Sequence, residues 1–165
     1  MTGFIFNDSK GGQLKTRDVV QAMLDFIRAD DKRTYKVTIG TDSQAVQGRV
    51  SDFVTAIVIH RVGNGGRYFW RRFKPRQGFH TIRERIVNEV LSSLEVARDF
   101  LAVAKDFGIL PKFDFEIHVD VGETGKTKAM IQEVVNMIRA NNFEAKTKPE
   151  SYAASSVADK HINKR

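Results

Sequence analysis

The stretch YKVTIGTDSQ, residues 35–44, decides the fold. Its β-branched and aromatic residues suit a strand, and strand side chains alternate between two faces. Tyr35, Val37, Ile39 and Thr41 share one face; Lys36, Thr38, Gly40 and Asp42 share the other. The run 35–41 reads as a strand ending at Asp42-Ser43. Downstream, FVTAIVIHRV (53–62) is a strongly apolar strand. Asn64-Gly65-Gly66 is a hairpin turn signal, and RYFWRRFK (67–74) is the return strand. Upstream, TRDVVQAMLDFIRA (16–29) carries Val19, Val20, Met23, Phe26 and Ile27 at helical spacing, with Thr16 as the expected N-cap.

The remainder alternates. Thr81-Ile82-Arg83-Glu84 is a capping-box pattern opening a helix over 82–107, and Gly108 marks its stop. FDFEIHVDV (113–121) alternates as a strand. A helix over 125–141, a short strand over 143–148 and a short terminal helix over 151–163 complete the chain. A hairpin triplet followed by alternation predicts an α/β fold. Its five-stranded sheet would be mixed, antiparallel first and parallel later, and flanked by helices. No repeat or linker divides it, so residues 1–165 read as a single domain, with 1–30 a one-helix N-terminal extension.

The formal net charge is +7 and favours an anionic partner, nucleic acid first among them. The absence of Cys excludes disulfides, thiolate zinc sites and a Cys nucleophile, and fits a reducing cytosol. The N-terminus lacks a basic-then-apolar signal pattern, and no run approaches the roughly 20 apolar residues of a membrane span. The expectation is a cytoplasmic protein without a membrane partner.

Asp42 and Asp120 both end a strand on its less apolar face. If those strands are parallel neighbours, the two carboxylates converge at the carboxyl edge of the sheet, where open α/β sheets place ligands. On the long helix, at about 100° per residue, Ile82, Ile86, Val87, Val90, Leu91, Leu94, Val96, Ala97, Phe100 and Leu101 form an apolar arc. Glu89 falls inside that arc. A carboxylate there is costly unless paired or bound to a cation, so Glu89 is the preferred helix ligand. Glu84, with a structural task in the capping box, comes second. Close carboxylates repel and are stable mainly as a cation site. Mg²⁺ takes oxygen ligands, and two ions roughly 4 Å apart can support phosphodiester cleavage.

The chain resembles the YkuK-like family of predicted RNase H-like nucleases. The resemblance is carried by Ile39-Gly40-Thr41-Asp42-Ser43-Gln44, by 53–59, and by Arg83-Glu84-Arg85-Ile86 with Glu89. It continues through His118-Val119-Asp120-Val121-Gly122, Gly125-Lys126-Thr127 and Ser156-Val157-Ala158-Asp159-Lys160-His161. The resemblance implies an RNase H-like fold and a divalent-metal-dependent nuclease acting on RNA, DNA or a hybrid. Its implied ligands, for two Mg²⁺ or Mn²⁺ ions, are Asp42, Glu89, Asp120 and Asp159. His118, His161, Ser43, Glu84 and Lys126 are auxiliary candidates. A non-catalytic nucleic-acid-binding module on the same fold is the alternative, and a protein-interaction or regulatory domain with a vestigial acidic cluster is a third.

Each residue also has a plainer reading. Asp42 could serve a turn, Asp120 could cap the following helix, and Glu89 could bend to solvent. Asp159 could be a solvated terminal charge, and His118 a structural histidine. The basic and aromatic strand offers Trp70, Arg71, Arg72 and Lys74 as nucleic-acid contacts, or else an ordinary amphipathic strand. Gly122-Glu123-Thr124-Gly125-Lys126-Thr127 sits where a P-loop would, but only two residues separate its glycines and Asp120 stands where the first Gly should. It reads as a tight turn whose exposed amides could touch phosphate.

Overall fold

The computed structural model describes residues 3–46, 49–76, 78–108 and 113–151. Seven strands form one sheet in the order β2-β1-β5-β4-β3-β6-β7. Strands β3 (Tyr35–Val46), β4 (Arg49–Arg61) and β5 (Gly66–Phe73) make an antiparallel meander. Strands β6 (Asp114–His118) and β7 (Glu144–Lys146) then add parallel to β3. This is the mixed sheet that the sequence predicts, with two strands more. The additional pair, β1 (Ile5–Asn7) and β2 (Gln13–Lys15), is an N-terminal hairpin docked on β5 through Asn7 opposite Trp70. Its turn is held by Asp8, whose Oδ1 accepts from the backbone of Lys10 at 2.9 Å and of Gly12 at 2.8 Å.

Helices α1 (Thr16–Arg28), α2 (Ile82–Asp106) and α3 (Ile131–Ala140) supply the main core against one sheet face. Val37, Ile39, Ile57, Ile59, Phe69 and Ile117 point into it from the strands, as strand alternation requires. From α2 come Ile86, Val90, Leu94, Ala97 and Phe100. The opposite face carries a small cluster of Val54, Ala56 and Trp70. Among the described residues no helix is long and apolar enough to cross a membrane.

Several boundaries differ from the sequence reading. Strand β3 runs past Asp42 to Val46, because β4 continues to pair with it there although β6 has ended. Helix α1 is capped by Lys15, not Thr16: the Lys15 N–H donates to Asp18 at 2.9 Å, while the Thr16 hydroxyl donates to Asp99 of α2 at 2.5 Å. Helix α3 starts at Ile131 because Gly125, at φ 82°, and a 3-10 turn at Lys128–Met130 take up the preceding residues. Within the expected apolar arc of α2, Ile82 and Leu91 are exposed. The hairpin after β4 forms as expected. Gly66 is required there, since a Cβ would stand 2.5 Å from the carbonyl oxygen of Ile59.

Candidate functional site

The site follows from register. Gly40 pairs with His118, and His118 pairs with Lys146, on three adjacent parallel strands. Asp42 and Asp120 each lie two residues past the Gly40–His118 pair, while on the β7 side the register slips by two, so that Lys148 comes level with Gly122. The β6–β7 segments stay together past their strand ends: Val119 N–H donates to the Lys146 carbonyl at 2.9 Å, and Lys148 N–H to the Val121 carbonyl at 2.8 Å. In the antiparallel half, Asp42 pairs with Val54 and Val54 with Arg72. One cross-strand row thus runs Arg72, Val54, Asp42, and Asp120 follows just past the end of β6, the parallel neighbour of β3. Adjacent members of such a row are about 4.8 Å apart.

Glu89 reaches this row from the other side of the sheet. Its position on α2 is fixed by a buried hydroxyl chain. Ser93, one turn further along the helix, lies 2.8 Å from Thr41, which lies 2.8 Å from Thr55. Thr41 immediately precedes Asp42. Ser43 joins the two acids: its backbone N–H donates to Asp42 Oδ1 at 2.8 Å, and its hydroxyl donates to Glu89 Oε1. Glu89 is only 5% exposed. Burial pushes its carboxyl up to about 8; the Ser43 hydroxyl opposes that rise, the charges of Asp42 and Asp120 add to it, and Arg85 opposes it. The Arg85 Nε lies 3.7 Å from Glu89 Oε1. Lys148 Nζ lies 2.6 Å from Asp120 Oδ1.

The remaining candidates are placed differently. Glu84 is exposed and completes the capping box of α2, accepting from the N–H groups of His80 at 2.8 Å and Thr81 at 3.3 Å. Those bonds hold its carboxyl below the usual range. His118 is buried, and its Nε2 lies 3.0 Å from Glu116. Glu116 also pairs with Lys36 at 3.1 Å. Burial would raise the Glu116 carboxyl, but His118 and Lys36 together hold it below the ordinary value. His118 thus belongs to a hydrogen-bonded polar cluster with Glu116 and Lys36, two residues before Asp120. Lys126 is exposed on the turn that Thr127 closes by accepting from the Gly122 N–H at 3.3 Å. Trp70 packs on Val54 and Ala56, and Arg72 pairs with Asp52 at 2.5 Å. Arg71 points to the other face, 4.3 Å from the ring centres of both Phe4 and Phe73; burial lowers its pKa against the pull of Glu95. Lys74 is exposed beyond the strand end. Asp159 and His161 lie outside the described residues.

Sequence reasoning passed over Lys148 and gave Arg85 no role of its own. The strand expected over 143–148 contained the signal for Lys148, because parallel pairing with the strand that precedes Asp120 brings its far end near that acid.

A match to the ribonuclease H-like family runs over residues 18–163. The chain belongs to the ribonuclease H-like family. A Bacillus subtilis (strain 168) protein described as "Uncharacterized protein YkuK" is 32% identical over 166 residues, covering 95% of this chain and 96% of that protein. No solved structure shows a significant match. In this ribonuclease H-like chain the meander and the parallel pair place Asp42 on a central strand and Asp120 just past the end of its parallel neighbour, with a third acid on the helix behind them.

Proposed function

We propose that this chain is a divalent-metal-dependent nuclease-like protein acting on nucleic-acid phosphodiester bonds. The observation that carries this reading is that Asp42 and Asp120 each lie two residues past the parallel Gly40–His118 pair, with both charges acting on the buried Glu89. Membership of the ribonuclease H-like family and the net charge of +7 support it.

The donor chemistry fits a hard cation: every proposed ligand offers carboxylate oxygen, and the buried Glu89 lies within the field of two other acids. Asp42 and Asp120 would hold one Mg²⁺ or Mn²⁺ and Glu89 with Asp159 a second, supplying charge neutralisation at a phosphate and an activated water. Ser43 keeps Asp42 and Glu89 oriented toward each other. Trp70, Arg72 and Lys74 remain the proposed contacts to nucleic acid, with Arg71 committed to packing. The absence of Cys is consistent with a cytoplasmic setting, which we adopt as part of the proposal.

One observation favours the non-catalytic binding module. Among the described residues no three His, Cys, Asp or Glu side chains are gathered closely enough to hold an ion, and Lys148 already engages Asp120. The two readings separate in one experiment. For the nuclease, Mn²⁺ raises the melting temperature of the wild type, and Asp42→Asn with Asp120→Asn abolishes both that shift and Mn²⁺-dependent cleavage while circular dichroism stays native. Salt-sensitive nucleic-acid binding with no Mn²⁺ shift identifies the module. Full cleavage by the double variant removes these acids from the site.

A further inference from the structure

Lys148 is held as though its position mattered. Its backbone N–H bonds to the Val121 carbonyl at 2.8 Å, so the residue continues the parallel pairing beyond β7. Its stem lies over Gly122, where an added Cβ would come 3.1 Å from the Lys148 Cβ. Gly122 thus keeps open the space that the stem crosses. The ammonium at its end lies 2.6 Å from Asp120 Oδ1, and the Lys148 side chain is 59% exposed. Its anchor is therefore fixed and its head has room to turn.

We propose that Lys148 is a substrate-positioning residue that pairs with Asp120 in the metal-free protein and turns to a phosphate oxygen of the nucleic acid once a cation takes that carboxylate. The inference rests on the nuclease-like reading above and names a residue that this reading does not use. Two cations cannot share one carboxylate oxygen at contact distance without repulsion, so a divalent ion at Asp120 displaces the ammonium. The released head group stays beside the acids, because its backbone is bonded to Val121 at the sheet edge. A lysine there is a point charge with three donors, able to meet a phosphodiester oxygen without demanding a planar geometry. A negative backbone crossing the metal-loaded acids would then meet Lys148 beside Asp120.

The pair has opposite effects on the two ligands. Lys148 competes with the metal and assists the phosphate. Removing it therefore strengthens the first interaction and weakens the second, a combination that general loss of structure does not produce.

The experiment uses the full chain as wild type, Lys148→Met and Lys148→Arg. Mn²⁺ affinity is read by calorimetric titration without nucleic acid. Binding of a labelled RNA–DNA hybrid is read with and without Mn²⁺ across a salt series. Lys148→Met is expected to bind Mn²⁺ about two- to fivefold more tightly, the range for releasing a half-exposed ion pair. In Mn²⁺ it is expected to bind the hybrid more weakly, with a salt slope shallower by about one. Without Mn²⁺ the slope is expected to be unchanged, and Lys148→Arg should retain most hybrid affinity. If the wild type binds Mn²⁺ and the hybrid but Lys148→Met matches it in both assays, the inference fails while the nuclease-like reading stands. If the wild type binds no Mn²⁺, both fall. A loss of Mn²⁺ affinity in Lys148→Met would also overturn the inference, since it would make the ammonium a support for the metal site.

Discussion

At the scale of single residues, Glu89 concentrates the tension in this site. Its carboxyl is buried, faces the charges of Asp42 and Asp120, and titrates near 8 in the fold, against 4.5 when unperturbed. The folded chain therefore holds a proton that the unfolded chain releases across that interval. The favourable contribution is complete below about pH 4.5 and is lost as pH rises through 8. Glu89→Gln keeps an oxygen for the Ser43 hydroxyl and has no charge to bury. In EDTA, wild type and variant are expected to unfold at similar urea concentrations at pH 5. At pH 9 the variant should be the more stable, by a few kcal/mol at about 1.4 kcal/mol per pKa unit. Parallel urea midpoints from pH 5 to pH 9 would show that Glu89 is solvated. The helical wheel places Glu89 in the apolar arc, and the structure buries it. What the wheel could not supply is the Ser43 hydroxyl that meets it, because that contact joins residues 43 and 89 across two elements.

At the scale of elements, the site depends on how α2 is pinned to the sheet. The Ser93–Thr41–Thr55 hydroxyl chain is buried, and it fixes the helix one turn from Glu89 and the strand one residue from Asp42. Ser93→Ala removes one hydroxyl but leaves Thr41 bonded to Thr55, so a loss of about 1 kcal/mol in stability is expected. Because Glu89 then loses its register against β3, Mn²⁺ affinity should fall as well, although Ser93 lies outside the proposed ligand set. Calorimetry and urea unfolding on the same samples test both; unchanged metal affinity beside lowered stability would make the hydroxyl chain a core feature only. The elements differ in how legible they were. The long helix announced its start through Thr81 and Glu84 and its end through Gly108, all of them local signals. The N-terminal hairpin did not, because strands of three residues are too short to show alternation. Its turn signal, Asp8 through Gly12, was there to be read. The approach of Asp42, Asp120 and the Lys148 head group is set by parallel pairing between distant segments, which no local pattern specifies.

At the scale of the whole molecule, a chain of net charge +7 surrounds an acidic centre. In a metal-free protein that centre repels the phosphates which the rest of the surface attracts, so charge and site act against each other until a cation intervenes. Binding of an RNA–DNA hybrid should therefore be strongly salt-dependent with or without Mn²⁺, since the basic surface is present in both states. Neutralising about three phosphates would cost about 40-fold in affinity between 50 and 200 mM salt. Mn²⁺ should raise hybrid affinity at every salt concentration by removing the central repulsion. Asp42→Asn combined with Asp120→Asn should raise metal-free affinity toward the same level and abolish the response to Mn²⁺. Fluorescence anisotropy on wild type and double variant over that salt range supplies all four curves. A wild type whose metal-free affinity is unaltered by the double substitution would mean that nucleic acid lies elsewhere on the surface. The Lys148–Asp120 pair would then be a structural feature of the sheet edge, not part of a substrate's track.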